Sequence, residues 1–350
     1  MNTIAKIMLL LLILGACQSK HPAAPVAVSN LRVEYKTNPM GIDIQKPRFS
    51  WIMESDARGV SQTAYRVLVA SGEEKLARDE ADVWDSQKVT GALSNQIEYQ
   101  GMALESNRKY FWKVKVWDQS GQILEGKPAF FTTGLMHEPD WKAKWIGLDK
   151  AVGSDNPNTS HRILSARVVR HGFALEKKVK SATAFISGLG LFELYLNGQK
   201  IGDQVLAPAL SEYNKRSFYM TFDVTKNHNL GENAIGVILG NGRFFAMRAG
   251  GTEKTKDYGF PKLICQIEIE YEDGSKTQVV SDESWKLTTN GPIRKNSEYD
   301  GEYYDARMEM PGWCSPGFND SGWMKAELVQ KPGEKLVAQP SEPIKIMDEI

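Results

Sequence analysis

The fold is decided by four stretches, which read GLGLFELYLNGQKIGD (residues 188–203), SEYNKRSFYMTFDVT (211–225), GVILGNGRFF (236–245) and EYDGEYYDAR (298–307). Each is a short run of apolar, aromatic and polar residues next to a glycine-containing turn, a pattern typical of antiparallel strands. Asn197-Gly198 predicts a type I′ hairpin turn, because both central residues of that turn need positive φ. Asp273-Gly274 predicts a second turn of the same type. The pattern indicates a jelly-roll β-sandwich with polar side chains on its rim.

A second set of strand signals lies upstream, between about Ser29 and Gly134. RFSWIM, AYRVLVAS and YFWKVKVWDQSG are rich in β-branched and aromatic residues, with alternating faces such as Tyr65, Val67 and Val69. Their number and spacing predict a fibronectin type III or immunoglobulin-like sandwich. The charged segment GEEKLARDEADVW (72–84) fits either a helical turn or a crossover loop, and we favour the loop.

Composition limits the partners that the chain can attract. It has 43 basic and 43 acidic residues among 350, so its formal net charge is zero. A chain without net positive charge has no field to gather phosphates, which argues against nucleic acid. The length predicts two or three domains.

The first residues have the pattern of a bacterial lipoprotein signal. Lys6 precedes an apolar run from Ile7 to Leu14 that is too short to span a bilayer, and Leu14-Gly15-Ala16-Cys17 resembles a lipobox. We therefore expect Cys17 to carry lipid and to anchor the protein in the cell envelope, on the periplasmic face of the outer membrane. An ordinary signal peptide that is cut elsewhere is the alternative.

Two further cysteines remain. In LICQIEIEY, Cys265 shares a strand face with Leu263, Ile267 and Ile269, which predicts a buried position. Cys314 lies in the loop PGWCSPGF. We expect two free thiols rather than a disulfide.

Several catalytic motifs are excluded by spacing. Gly188-Leu189-Gly190 and Gly240-Asn241-Gly242 lack the third glycine of a dinucleotide fingerprint. The histidines have no metal-ligand spacing, and there is no Gly-x-Ser-x-Gly elbow for a serine nucleophile. These motifs give no support to zinc, nucleotide or acyl-transfer chemistry.

The acidic residues of EYDGEYYDAR (298–307) are the strongest candidates for a catalytic or binding role. On a single strand, Glu298, Asp300 and Glu302 would project from one face at ~7 Å intervals, close to the ~6.5–9.5 Å between the carboxyl groups of inverting glycosidases. Carboxylates so close repel each other and need a partner. We favour pairing with Arg307 or Arg294 over binding of a cation or sugar, and either over catalysis.

Several segments together resemble the N-terminal region of bacterial α-L-rhamnosidases of glycoside hydrolase family 78. They are residues 188–225, LGNGRFF (239–245) and YDGEYYDAR (299–307), with WKAKWIG (141–147) before them and LVAQPSEPIKIMDEI (336–350) after them. In that family a fibronectin-like domain and a jelly roll precede an (α/α)6 barrel that carries the catalytic glutamates. This chain lacks the barrel pattern, so the resemblance implies no catalytic residue here.

What the resemblance implies for this chain is an accessory role beside a missing catalytic domain, on rhamnose-containing carbohydrate. Related jelly rolls bind L-rhamnose with calcium, which makes calcium the candidate cofactor. By their chemistry, the candidate sugar-binding residues are Asn197, Asp203, Asn241, Asp300, Glu302 and Tyr304, and the candidate calcium ligands are Asp300 and Glu302. Phe244 or Phe245 could supply a stacking ring where many relatives have tryptophan.

These expectations divide the chain into a signal peptide and tether (1–28), a fibronectin type III-like domain (29–135), a jelly-roll domain (140–338) and the start of a further domain (339–350). Trp141 and Trp145, beside the boundary, are interpreted as structural. Ile344 and Ile346 begin a strand with no element to join, and we read the chain as a fragment. The alternatives are a free-standing rhamnose-binding lectin and a scaffold that binds nothing.

Overall fold

The computed structural model describes residues 26–158, 161–248 and 256–348. The lipobox and Cys17 lie outside those ranges. No helix within them has both the length and the apolar character to cross a membrane. They hold two β-sandwiches and no helical repeat, so the predicted all-β fold is confirmed.

The first sandwich packs two antiparallel sheets, one of order β1-β2-β6 and one of order β4-β3-β7-β8, with β5 on β3 and β9 on β7. Its core joins Phe49 and Trp51 of one sheet to Val67, Val69 and Trp112 of the other. The strands are β1 (Val26–Val33), β2 (Arg48–Ser55), β3 (Gln62–Ala70), β4 (Trp84–Asp85), β5 (Val89–Thr90), β6 (Ile97–Glu98), β7 (Lys109–Asp118), β8 (Ile123–Glu125) and β9 (Ala129–Thr132).

The segment after β3 is helical, so our preference for a loop there was wrong. Helix α1 spans Glu73–Ala77 and places Leu76 in full burial against Leu68 and Ala70. Most residues of this segment are charged, and Leu76 is the side chain that holds the helical turn against the sandwich. Such a short helix has no periodic signal.

The second sandwich also consists of two sheets. One has the order β24-β10-β18-β12-β16-β25, with β19 on β18, and the other has the order β14-β13-β17-β11-β20-β23. The strands are β10 (Ile146–Gly147), β11 (Arg167–Leu175), β12 (Val179–Leu189), β13 (Leu191–Leu196), β14 (Gln199–Lys200), β15 (Gln204–Val205), β16 (Arg216–Asp223), β17 (Gly231–Gly240), β18 (Lys262–Tyr271), β19 (Lys276–Val280), β20 (Lys286–Thr288), β21 (Ile293–Ser297), β22 (Gly301–Tyr304), β23 (Met324–Lys325), β24 (Glu327–Leu328), β25 (Lys335–Ala338) and β26 (Ile344–Lys345). Short 3₁₀ turns lie at Glu138–Asp140, Thr225–Asn227 and Ala306–Met308.

The two predicted hairpin turns differ from each other. Asn197 and Gly198 both have positive φ, 52° and 84°, which confirms the type I′ turn. At the second turn only Gly274 is left-handed, with φ 81°, and the loop between Tyr271 and Ser275 has three residues. The Asp273 carboxylate accepts the Ser275 N–H at 2.9 Å and fixes this alternative. The type I′ prediction is therefore wrong there.

The inward face of β18 confirms the strand period in LICQIEIEY. Leu263, Cys265, Ile267 and Ile269 all lie in the core between the two sheets. Cys265 and Cys314 are both unpaired, as expected. Both are buried, although burial was predicted only for Cys265. Burial also raises the pKa of the Cys265 thiol, which keeps it protonated.

Thiol labelling checks this burial. We expect Cys265 and Cys314 to resist a maleimide reagent in the native chain and to react once the chain is unfolded in denaturant, because the thiolate is the reactive form and a buried thiol is inaccessible. Mass spectrometry of the labelled peptides separates the two sites. Native labelling of Cys265 at the rate of a free peptide thiol would contradict its place in the core.

The two sandwiches contact each other closely. Tyr219 and Phe185 of the second sandwich pack with Leu135 and Trp141, and the Trp141 ring centroid lies 5.3 Å from that of Tyr219. The Asp43 carboxylate of the first sandwich accepts the Ala338 N–H at 2.6 Å. Trp141 is therefore structural, as predicted.

Trp145 is structural in another place. It packs with Leu189, Tyr213 and Phe244 inside the second sandwich rather than across the junction.

The last strand of the described chain has a partner, contrary to our expectation. β26 pairs antiparallel with β15, with Val205 opposite Ile344. The sequence concealed this pairing because β15 is only two residues long and lies about 140 residues away.

Candidate functional site

The acidic run forms a hairpin, so its carboxylates do not share one strand face. β21 and β22 pair antiparallel with Asn296 opposite Glu302, and the chain reverses through residues 298–300. The Ser297 hydroxyl accepts the backbone N–H of Tyr299 at 3.2 Å, and Gly301 has φ 73°. The single strand assumed for Glu298, Asp300 and Glu302 is therefore wrong, because a serine-stabilised turn interrupts it.

The carboxylates of this turn are paired with arginines from the loop that follows β17. Glu298 Oε1 lies 2.8 Å from Arg243 Nε, and the Asp300 carboxylate forms an ion pair with the Arg248 guanidinium. The two guanidinium carbons lie 4.8 Å and 5.7 Å from the ring centroid of Tyr299, within the range of cation–π attraction. We call these five residues the arginine–tyrosine cluster. It joins the loop to the hairpin.

The structure thus confirms that arginines pair with these carboxylates. The arginines are not Arg307 or Arg294, as we predicted. Arg307 pairs with Asp305 beside it, at 2.6 Å. Arg294 donates to the carbonyl oxygens of Thr289 and Gly291. Local sequence suggested the nearest arginines, whereas a distant loop supplies the ones that bind Glu298 and Asp300.

The electrostatics of the turn do not suit acid catalysis. The hydrogen bond from Arg248 lowers the pKa of the Asp300 carboxyl below its usual value. A glycosidase needs one carboxyl group with a raised pKa to protonate the leaving group. Asp300 is an ionised partner of an arginine and has the opposite character.

Asn241 does not lie on the rim, and the prediction that placed it there is wrong. Its side chain is fully buried and donates to the carbonyl oxygens of Leu164 at 3.0 Å and Asn296 at 2.9 Å. It fastens the end of β17 to the hairpin. Phe244 and Phe245 are also buried, so neither ring can stack on a sugar.

Glu302 and Tyr304 face solvent on β22. The Tyr304 hydroxyl donates to the Glu309 carboxylate at 2.9 Å, and the neighbouring Tyr303 is more exposed still. An exposed tyrosine beside carboxylates offers a flat apolar face and hydrogen-bond acceptors, the combination that suits a sugar ring.

Asn197 and Asp203 lie in the first of the four stretches (188–203), in and just after the β13–β14 hairpin. The Asn197 side chain donates to Asn233 Oδ1 at 2.7 Å and accepts the Ala234 N–H at 2.8 Å, so the fold uses both of its ends. Asp203 forms an ion pair with Lys345 at 2.7 Å. Among the described residues, no hydrogen bond or ion pair links either residue to the β21–β22 hairpin.

The candidate calcium site does not fit the ion. Calcium takes six to eight oxygen ligands, several of them carboxylates. Asp300 is engaged by Arg248, Glu298 by Arg243, and Glu302 stands beyond the turn on β22. Within the described ranges, no cluster of three or more acidic, histidine or cysteine side chains is placed to hold a metal.

Sequence reasoning missed the arginines of the cluster. Arg243 directly follows the Gly240–Gly242 turn, so the turn motif could have pointed to it, whereas no sequence pattern points to Arg248.

A shallow concavity lies between the loop after β17 and the β21–β22 hairpin, and it is too small to enclose a sugar ring. It is lined by Gly242, Arg243, Phe245, Ala246, Met247, Arg248, Ser297, Glu298 and Tyr299. The cluster therefore braces the fold, and the exposed β22 face is the part left to contact a ligand.

Comparison with known proteins gives two family matches. Residues 177–348 match the α-L-rhamnosidase N-terminal domain. Residues 28–137 match the Rha78A-like, N-terminal immunoglobulin domain. Together the two matches cover most of both sandwiches.

Curated and solved relatives agree with these matches. The chain is 39% identical to an α-L-rhamnosidase of Formosa agariphila, over 89% of this chain and 34% of that protein. The solved α-L-rhamnosidase of Dictyoglumus thermophilum has a TM-score of 0.83 at 44% identity, covering 92% of this chain and 36% of that one. The Streptomyces avermitilis α-L-rhamnosidase, solved in complex with L-rhamnose, has a TM-score of 0.83 at 25% identity, covering 93% of this chain and 47% of that one. The chain thus spans between about a third and a half of the length of these relatives.

Proposed function

Since this chain belongs to the α-L-rhamnosidase family through its two N-terminal domains, we propose that it is the accessory, non-catalytic portion of an enzyme that removes terminal α-L-rhamnose from glycans. The observation that carries the proposal is the pairing of Glu298 and Asp300 with Arg243 and Arg248. Two of the three carboxylates that could form a glycosidase pair are held by arginines, and Glu302 alone faces solvent. One carboxylate is not a pair, so we assign bond cleavage to another part of the enzyme.

The accessory role follows from the contact between the sandwiches. Trp141, Phe185 and Tyr219 pack at the junction, and Asp43 binds the backbone of β25. These contacts hold the two sandwiches against each other, so that together they can act as a support. Such a support can hold a catalytic domain in position beside rhamnose-containing carbohydrate.

A chimera tests this function. We would replace the matching N-terminal third of the Formosa agariphila α-L-rhamnosidase with this chain and measure hydrolysis of an aryl α-L-rhamnoside. The chimera should hydrolyse the substrate, and the same enzyme without any N-terminal third should be less active or less stable. A truncated enzyme as active and as stable as the intact one would overturn the accessory role.

The lectin alternative rests on the exposed β22 face. Calorimetry with L-rhamnose, with and without calcium, separates it from the accessory role. We expect no calcium-dependent binding, because Asp300 is engaged by Arg248. Calcium-dependent binding that Tyr304→Ala abolishes and Tyr35→Ala retains would favour the lectin, since both tyrosines are about half exposed but lie in different sandwiches.

We also propose that the protein is anchored in the cell envelope by lipid on Cys17, on the periplasmic face of the outer membrane. The support is the Leu14-Gly15-Ala16-Cys17 sequence after an apolar run. Metabolic labelling with palmitate in a bacterial host should mark the chain, and Cys17→Ala should remove the label. Equal labelling of both proteins would contradict the anchor.

A further inference from the structure

Two segments of the second sandwich form a narrow strip, residues 203–210 and 339–347, which we call the C-terminal ribbon. β15 and β26 pair within it, and the Ala209 N–H donates to Gln339 Oε1 at 2.8 Å. Asp203 and Lys345 close one end with an ion pair at 2.7 Å. The ribbon therefore has a defined shape rather than being a loose tail.

The ribbon collects apolar side chains that face solvent. Leu206 is 60% exposed, Ile344 57% and Ile346 63%. Of the eighteen large hydrophobic residues that are exposed in the described ranges, five lie in this strip of seventeen residues, the other two being Leu210 and Met347. Single exposed hydrophobics are ordinary, whereas a contiguous group of them marks an interaction surface.

The backbone at Leu206 is a second, independent sign. Its φ is 52°, in the left-handed region that a leucine rarely adopts. Gln204, two residues before it, and Ala207, directly after it, are buried, so the strained residue directs its side chain outward between two buried positions. Strained residues of this kind cluster at functional sites, and the Leu206 side chain remains 60% exposed in the described chain.

The length of the relatives identifies the occupant. The matched N-terminal domain runs to residue 348, directly after the ribbon, and most of the Formosa agariphila and Dictyoglumus thermophilum proteins lies outside the part that this chain matches. A domain joined to the ribbon by a short covalent link has a high effective concentration there, so a small apolar surface is enough to hold it.

We propose that the C-terminal ribbon is the docking surface for the catalytic portion of the rhamnosidase, with Leu206, Leu210, Ile344 and Ile346 as its apolar contacts. This inference rests on the proposed function. Asp203 and Lys345 are paired with each other, which leaves Glu342 as the other charged residue of the ribbon beside its apolar side chains. Such a mainly apolar surface suits an intramolecular domain contact.

The test uses the full chain and the chimera described above, each carrying Leu206→Lys or Ile344→Lys. Matched controls are Leu93→Lys and Ile123→Lys in the first sandwich, where the side chains are 66% and 55% exposed. In the isolated chain, all four variants should leave the melting temperature unchanged. In the chimera, each ribbon variant should lower the melting temperature of the catalytic portion by about 2–4 °C or more, while the controls leave it unchanged.

The outcomes separate the two proposals. Equal melting of ribbon and control variants in an active chimera overturns the docking surface and leaves the accessory function standing. An inactive chimera whose melting still responds to the ribbon variants supports docking and removes the function. If the isolated chain is a dimer in sedimentation and the ribbon variants make it a monomer, the occupant is a second copy, and the proposal is wrong.

Discussion

Replacing Asp155 with alanine should lower the free energy of unfolding by about 3–5 kcal/mol, because the change leaves the Arg167 guanidinium buried without its counter-ion. Both side chains are fully excluded from solvent and lie 2.9 Å apart. Asp155 also accepts the backbone N–H of Val152 at 3.0 Å and of Ser165 at 2.9 Å. One carboxylate therefore holds the loop before β11 and satisfies a buried charge.

Two further variants sharpen this prediction. Asp155→Leu combined with Arg167→Met removes both charges and should recover much of the lost stability, because an apolar pair of similar volume can replace a buried ion pair. Glu80→Ala breaks the exposed Arg78–Glu80 pair and should cause no measurable change. Urea unfolding gives all the values. A loss below about 1 kcal/mol for Asp155→Ala would contradict the account.

The pH dependence has a defined sign. Burial by itself raises the pKa of the Asp155 carboxyl, but the bonds from Arg167 and from two backbone N–H groups outweigh it and bring the pKa below the usual value. A lowered pKa means that the carboxylate stabilises the fold above its unfolded pKa of about 3.9, and that this contribution is lost as the pH falls through the folded value. The difference between wild type and Asp155→Ala should shrink on acidification.

Gly41→Ala should uncouple the two sandwiches and split a single unfolding transition into two. Gly41 has φ 71°, and a Cβ built there would lie 1.9 Å from Thr221 Oγ1 in the second sandwich. The clash lies at the junction, next to Asp43 and its bond to Ala338. Relief requires the sandwiches to move apart, which removes the packing that makes them unfold together.

Matched controls separate the clash from backbone strain. Gly121 has φ 83° with no atom within 4 Å of an added Cβ, so Gly121→Ala carries the strain alone and should keep one transition at a cost of about 1–2 kcal/mol. Thr221→Gly in the Gly41→Ala chain removes the clashing atoms and should restore the coupling in part. Calorimetry counts the transitions. One transition for Gly41→Ala, at the midpoint of Gly121→Ala, would show that the junction does not couple the sandwiches.

The sequence was sufficient where local chemistry determines the structure. The two-residue period of LICQIEIEY placed Cys265 in the core, and Asn197-Gly198 specified its own turn because few other pairs accept positive φ twice. The Asp273-Gly274 pair was less informative, because the Asp273 carboxylate accepts the Ser275 N–H and selects a different turn.

The sequence was insufficient where a distant segment decides. The partners of Glu298 and Asp300 come from the loop after β17, some fifty residues earlier, and nothing near the carboxylates predicts Arg248. Asn241 was a sugar-binding candidate by its chemistry, yet it is buried and bonded to the hairpin at Asn296. Strand β15 has only two residues, which is too few for a strand pattern in the sequence, so its pairing with β26 could not be predicted.

Incubating the purified chain with an aryl α-L-rhamnoside shows whether this chain supports a rhamnosidase without itself breaking glycosidic bonds. We expect no release of the aryl group above the rate in buffer, and no difference between wild type and Glu302→Gln. Turnover by the wild-type chain that Glu302→Gln abolishes would make the carboxylates of the β21–β22 hairpin catalytic and contradict the account.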